Sequence, residues 1–260
     1  MKRLIEPIYH QAYIDTGDGP AVILLHGLFG NLAMWRPTIL ALQRDYRIVV
    51  PRLPLFDIPI HRANVDNLVE ILHDFLDWHH LTDVTLVGTD IGGQIALCYA
   101  FKHPERVRKI VLSGSSGFFE NFPPAENDFS KDFDSVHDQV LDAFYKKDLV
   151  TPNLVDRVYK TINTSSKELH ITFLAQSSKK TDISRFLSKL KVPVLLVWGL
   201  QDKITPPVVA LQFHDLLKFG SVKFINECGH LPMIEKPELY IGYIQSFLGE
   251  ERGAGLMTNV

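Results

Sequence analysis

Cysteine is scarce in this chain of 260 residues: there are two, Cys98 and Cys228. Two thiols do not make a disulfide framework, and both read as buried cysteines. Long apolar runs are missing too. Ala21 to Leu25 and Val192 to Trp198 are among the longest, far short of the ~20 residues that a membrane helix needs. The start, Met1-Lys2-Arg3-Leu4-Ile5-Glu6-Pro7, breaks any apolar core at Glu6 and Pro7, so no signal peptide is expected there. An excess of one charge is also absent, with 27 basic and 30 acidic residues and a formal net charge of -3. That balance points to no polyanionic partner. No His or Cys cluster has metal-ligand spacing. The expectation is a cytoplasmic protein, monomer or homodimer, that needs no cofactor or metal, binds neither nucleic acid nor membrane, and acts on a small molecule.

What is present is an ordinary globular composition, 46% hydrophobic and 22% charged, in a chain long enough to bury about 70 to 75% of its surface. Apolar β-branched runs alternate with amphipathic stretches. Tyr9 to Asp15 reads as a first strand, and Ala21-Val22-Ile23-Leu24-Leu25 as a strand covered on both faces. Ala33 to Arg44 has helical spacing, followed by a strand at Tyr46 to Pro51. Asn64 to Trp78 carries Val65, Leu68, Val69, Leu72 and Leu76 on one helical face. The pattern resumes late in the chain with a strand at Val192 to Gly199, a helix at Pro207 to Lys218, a strand at Val222 to Ile225 and a helix at Pro237 to Leu248. Such alternation predicts an α/β fold with a mostly parallel central sheet flanked by helices.

Between Ser115 and Lys191 the pattern changes to short amphipathic stretches without a buried strand. An insertion of that length is too long for a connecting loop. The expected organisation is therefore a core of residues 1–116 and 192–260 with a helical lid, 117–191, inserted before the last two strands. The lid would sit over the sheet's C-terminal edge, where open α/β sheets bind ligands.

The chain turns on Thr85-Leu86-Val87-Gly88-Thr89-Asp90-Ile91-Gly92-Gly93-Gln94-Ile95-Ala96. An apolar run ends at a glycine, passes Asp90, and continues through a glycine pair with helical spacing. Strand and helix can approach so closely only where side chains are missing, and the turn between them exhibits one residue. Taken alone, the same pattern fits a turn whose aspartate caps the helix. Two further residues decide between the readings. Asp202 follows Trp198-Gly199-Leu200-Gln201 directly after a strand, and His230 lies in Glu227-Cys228-Gly229-His230-Leu231-Pro232 after the last strand. The order nucleophile, acid, histidine is that of a known catalytic arrangement.

These motifs, with His26-Gly27-Leu28-Phe29-Gly30-Asn31 after the second strand, resemble the α/β-hydrolase superfamily over nearly the whole chain. The resemblance implies that Asp90, Asp202 and His230 are catalytic and that the backbone N–H groups of Leu28 and Ile91 form an oxyanion hole. His26 is expected to orient the oxyanion loop. The elbow departs from the usual G-x-S-x-G by carrying aspartate, already anionic at neutral pH. Attack on an acyl carbon would give an anhydride that reverts. Displacement at a saturated carbon gives a stable alkyl ester, which a water activated by His230 and Asp202 can hydrolyse.

That logic resembles dehalogenases, epoxide hydrolases and β-lactone decarboxylases, whereas the oxyanion motif and Ser113 to Glu120 are more similar to esterases and carbon-carbon hydrolases. The favoured expectation is an epoxide hydrolase-like enzyme acting on an epoxide, a strained lactone or a carbon-halogen bond. Phe29, Trp35 and Phe118, together with Phe119 and Phe122, would make an apolar pocket, and Tyr145 and Tyr159 would protonate an opening oxygen. The alternatives are a scaffold whose serine was replaced and whose Asp90 acts as a base, or a ligand-binding or signalling protein.

Overall fold

The computed structural model describes residues 12–118 and 132–250. Seven strands form one sheet: β1 Tyr13–Thr16, β2 Ala21–Leu25, β3 Arg47–Pro51, β4 Val84–Asp90, β5 Val107–Ser115, β6 Val194–Gly199 and β7 Gly220–Ile225. Their spatial order is β1-β3-β2-β4-β5-β6-β7. β1 pairs antiparallel with β3, and each later pairing is parallel. The long apolar runs are the interior strands, because helices cover both faces and leave no room for a polar side.

One face is covered by α1 (Arg36–Leu42) and by two helices near the chain's end, α9 (Pro232–Glu235) and α10 (Pro237–Gly249). Trp35, Leu42, Tyr240 and Ile244 pack there against Val22, Val50 and Val197. The other face takes α2 (Val65–Trp78), α3 (Ile91–Lys102) and α8 (Pro207–Leu216). The amphipathic reading of residues 64–78 is realised in α2, which buries Val65, Leu68, Val69, Leu72, Phe75 and Leu76 and begins where the Asn64 side chain accepts the Asn67 N–H.

Between β5 and β6 lie four further helices, α4 (Phe133–Asp142), α5 (Pro152–Ile162), α6 (Ser165–Lys180) and the short α7 (Ser184–Leu187). α4, α5 and α6 hold a small core of their own, with Val136, Val155, Val158 and Ile171, against which Leu28, Phe29 and Leu231 pack. Those three residues belong to the loops after β2 and β7, so the inserted helices rest on the C-terminal end of the sheet.

The central β4–α3 junction leaves no room for side chains at its glycines. A Cβ on Gly92 would lie 2.5 Å from the Leu25 carbonyl oxygen, and one on Gly88 would lie 2.6 Å from that of Gly92. Gly92→Ala must therefore push α3 away from β2. The expected cost is about 1–3 kcal/mol, read as a lower urea midpoint at unchanged slope; a wild-type midpoint would contradict this packing.

Candidate active site

Asp90 ends β4 and precedes α3 with φ 53° and ψ −132°. A non-glycine residue in that region is strained by about 1–3 kcal/mol and persists only where its surroundings hold it. The holding contacts lie on both neighbouring strands. The Leu28 N–H, in the loop after β2, donates to Asp90 Oδ2 at 2.7 Å. Ser116, directly after β5, donates its hydroxyl to Oδ1 at 2.7 Å and its N–H to the Asp90 carbonyl oxygen at 3.1 Å. The Asp90 side chain makes no hydrogen bond to the start of α3. The aspartate is thus not a helix cap, and its carboxylate is aimed away from the helix.

The histidine and its acid lie across from it. Asp202, in the loop after β6, accepts the Ile204 and Thr205 N–H groups at Oδ1, both at 2.9 Å. Its Oδ2 takes the Thr205 hydroxyl at 2.9 Å and His230 Nδ1 at 3.0 Å. An ionised carboxylate only accepts, so Nδ1 carries the proton and Nε2 is the basic nitrogen. Thr205 Oγ1 also lies 3.3 Å from His230 Nδ1, which fixes the ring from a second side. Gly114, at φ +51°, leaves room for that ring: a Cβ there would sit 2.6 Å from His230 Nδ1.

His26 is a structural residue. Its Nδ1 donates to the Gly27 carbonyl at 2.8 Å and its Nε2 accepts the Leu53 N–H at 3.0 Å. Burial pushes its pKa below the ordinary histidine value, so the ring stays neutral and holds the Leu28 loop. Burial also raises both thiols, Cys98 and Cys228, to about 12. Neither is a nucleophile at neutral pH.

A cavity of about 410 Å³ opens over Asp90. Its floor includes Leu28, Asp90, Ile91, Ser116 and His230, and its far wall comes from α4, α5 and α6 through Val140, Leu154, Val158 and Leu174. Phe29 lines it as expected. Four other residues expected in the pocket are absent from its wall. Trp35 is fully buried in the core beneath α1. Phe118 packs edge-on against Phe213 at 4.7 Å. Tyr145 is 44% exposed, and Tyr159 meets Phe133 edge-on at 5.4 Å. Neither tyrosine lines the cavity. Phe119 and Phe122 lie outside the described residues. Among the described residues no group of three or more His, Cys, Asp or Glu side chains could hold a metal, and no helix is long and apolar enough to cross a membrane.

Ser116, Thr205 and Glu235 belong to the site although no motif announces them. Glu235 is 2% exposed, and its carboxylate accepts three backbone N–H groups: Gly229 at Oε1, 2.8 Å, with Tyr145 at 2.8 Å and Lys146 at 2.9 Å on Oε2. The His230 N–H donates to the Ala143 carbonyl at 2.9 Å. Together these bonds tie the histidine loop to the segment after α4. Glu235→Gln replaces one acceptor by a donor that faces an N–H. A loss of about 1–3 kcal/mol is expected, measured by urea unfolding. A midpoint unchanged within about 0.3 kcal/mol would show that this tie adds nothing to stability.

With this geometry in place, the kinship of the chain can be stated. Residues 20–237 match the family model described as alpha/beta hydrolase fold. The 2-hydroxy-6-oxo-6-(2'-aminophenyl)hexa-2,4-dienoic acid hydrolase of Metapseudomonas resinovorans is 29% identical, over 91% of this chain and 86% of that one. The pimeloyl-[acyl-carrier protein] methyl ester esterase of Nitrosomonas europaea is 26% identical, over 87% and 94%. Among solved structures, an alpha/beta hydrolase enzyme from the sediment metagenome of the Mar Chica lagoon, Morocco, superposes with a TM-score of 0.75 at 28% identity, covering 91% of this chain and 93% of that one. None of these three is named an epoxide hydrolase or a dehalogenase, the groups that the elbow alone resembles. The chain belongs to the α/β-hydrolase fold family and is a hydrolase.

Proposed function

We propose that this hydrolase works through its aspartate: Asp90 displaces a leaving group at a saturated carbon of a small apolar substrate, and the resulting alkyl ester is hydrolysed by water. The observation that carries the reading is the 2.7 Å hydrogen bond from the Leu28 N–H to Asp90 Oδ2. In ester hydrolysis by a serine, that donor must be open to the substrate's carbonyl oxygen. Here the enzyme's own carboxylate fills it. The carbonyl that the hole can polarise is therefore the one Asp90 acquires once alkylated.

The reaction then runs in two halves. Asp90 Oδ1 forms a bond to carbon as the leaving group departs. A water gives its proton to His230 Nε2, and its hydroxide adds to the Asp90 carboxyl carbon. The charge that develops on Oδ2 meets the Leu28 N–H, with the Ile91 N–H at the open start of α3 as the second donor. Asp202 and Thr205 hold the imidazole in the required tautomer, and collapse releases the alcohol and restores the carboxylate. The inserted helices α4 to α7 act as the lid that keeps the cavity apolar, which strengthens each of these electrostatic interactions.

The leaving group narrows the substrate. Ile91 offers no side-chain donor for a halide, and Tyr145 and Tyr159 do not reach the cavity to protonate an alkoxide. A strained lactone leaves as a carboxylate that needs neither, so it fits this cavity better than an epoxide or a haloalkane. The relatives named for dienoic acid and methyl ester hydrolysis share the scaffold, and this reading gives the present chain a different bond to break.

His230→Gln removes the base for the second half only. Incubated with β-butyrolactone, 1,2-epoxyhexane, 1-bromohexane and 4-nitrophenyl butyrate in turn, this variant should gain the mass of the lactone, held on Asp90. A variant that stays unmodified by any substrate the wild type turns over would show that Asp90 is not the nucleophile.

A further inference from the structure

We infer that Ser116 is a catalytic residue: its hydroxyl assists departure of the alcohol when the Asp90 ester is hydrolysed. This rests on the reading of Asp90 as nucleophile and adds a participant that neither the motifs nor the family resemblance marked out.

The position of Ser116 is built into the sheet. From Thr85 to Thr89, β4 runs in even parallel register with β5; the pairing then shifts between Thr89 and Asp90, so that Asp90 comes opposite Ser115. Gly114 and Gly117, at φ +51° and +121°, bracket the following residues in conformations that L side chains rarely adopt. The result is that Ser116, 2% exposed yet on the cavity floor, grips Asp90 twice, by its N–H on the carbonyl and by its hydroxyl on Oδ1.

The two carboxylate oxygens thus have different donors. Oδ2 faces the Leu28 N–H and becomes the ester carbonyl, so the new bond to carbon forms at Oδ1, the oxygen that Ser116 holds. Oδ1 has two lone-pair positions: one accepts the hydroxyl and the other attacks. When water adds to the carboxyl carbon and the intermediate collapses, the bond between that carbon and Oδ1 breaks. The electron pair stays on Oδ1, which leaves as the product's alcohol oxygen and takes the proton that His230 received from water. Ser116 donates to Oδ1 while this charge develops.

An ester's alkoxy oxygen is a weak acceptor and an alkoxide a strong one. The Ser116 hydrogen bond therefore strengthens from ground state to transition state in the second half, which is the condition for accelerating it. In the first half the order reverses. There the bond stabilises the free carboxylate and weakens as Oδ1 is alkylated, so Ser116 cannot speed alkylation. These opposite signs separate the role from a merely structural one, which would slow both halves.

Methyl 4-nitrobenzenesulfonate is a suitable probe because its leaving group needs no proton. Quenched-flow mixing with wild type, Ser116→Ala, Ser116→Thr and His230→Gln, followed by intact-protein mass, reads methylation and demethylation of Asp90 separately. Ser116→Ala should methylate at the wild-type rate or faster and lose the methyl group about ten- to hundredfold more slowly, so that methylated enzyme accumulates. Ser116→Thr, which keeps the hydroxyl, should restore demethylation. Demethylation at the wild-type rate in Ser116→Ala, or an equal slowing of both steps, would overturn the assignment while leaving Asp90 as nucleophile. Absence of methyl ester even in His230→Gln would instead remove the nucleophile reading, and the role of Ser116 with it.

Discussion

The hydrogen bond between the Leu28 N–H and Asp90 Oδ2 is the constraint on which the rest of this site depends. It exists because a strained aspartate at φ 53° is pressed between the loops that follow β2 and β5. A Cβ on Gly27 would lie 2.6 Å from that same oxygen, so even the loop's glycine is part of the fit. On the proposed reading, this N–H is an oxyanion donor that the enzyme's own carboxylate already fills, and not one open to a substrate carbonyl. It suits a reaction in which the polarised carbonyl belongs to Asp90 itself. Strain at the elbow, the occupied donor and the proposed ester intermediate thus form one chain of cause.

Buried polar groups keep that chain aligned. Each is satisfied by backbone groups, and Asp202 by side chains as well, which offsets the cost of burying it in a low-dielectric interior. His26 spans Gly27 and Leu53, Asp202 collects two N–H groups and a hydroxyl besides His230, and Glu235 gathers three N–H groups. The last has a functional consequence. Because Glu235 and the Ala143 carbonyl both bond to the histidine loop, the position of the inserted helices and the position of His230 are set by shared contacts.

The sheet, and the placing of Asp90, Asp202 and His230 at or after strand ends, were legible in the sequence for a local reason. Interior strands of a parallel sheet are unbroken apolar runs; Asp90 ends one and Asp202 lies in the short loop after another, while His230 comes soon after the edge strand β7. Ser116, Thr205 and Glu235 were not, because their roles arise where the chain returns to a place already occupied. Ser116 meets Asp90 across two strands, and Glu235 meets Tyr145 beside the inserted helices. Four of the expected aromatic residues, Trp35, Phe118, Tyr145 and Tyr159, are absent from the cavity wall for a related reason. Periodicity tells which face of a helix is apolar but not what covers it. Trp35 was taken up by the core beneath α1, Phe118 by Phe213 and Tyr159 by Phe133, and the cavity is lined by Phe29 and Phe144 with aliphatic residues such as Val158 and Leu174. The leaning toward epoxides rested on the elbow, Asp90 with Ile91 after it, and the tyrosines such a reaction would use do not line the cavity.

The central claim is that Asp90 forms and loses an ester in each turnover. Its most direct test is a multiple-turnover reaction in ¹⁸O-labelled water, followed by mass analysis of the peptide that contains Asp90. Hydrolysis at the carboxyl carbon must place solvent oxygen in the Asp90 side chain, so that peptide should become heavier with the label while the others do not. Product formed with no label in Asp90 would contradict the account and leave the aspartate as a base or a bystander.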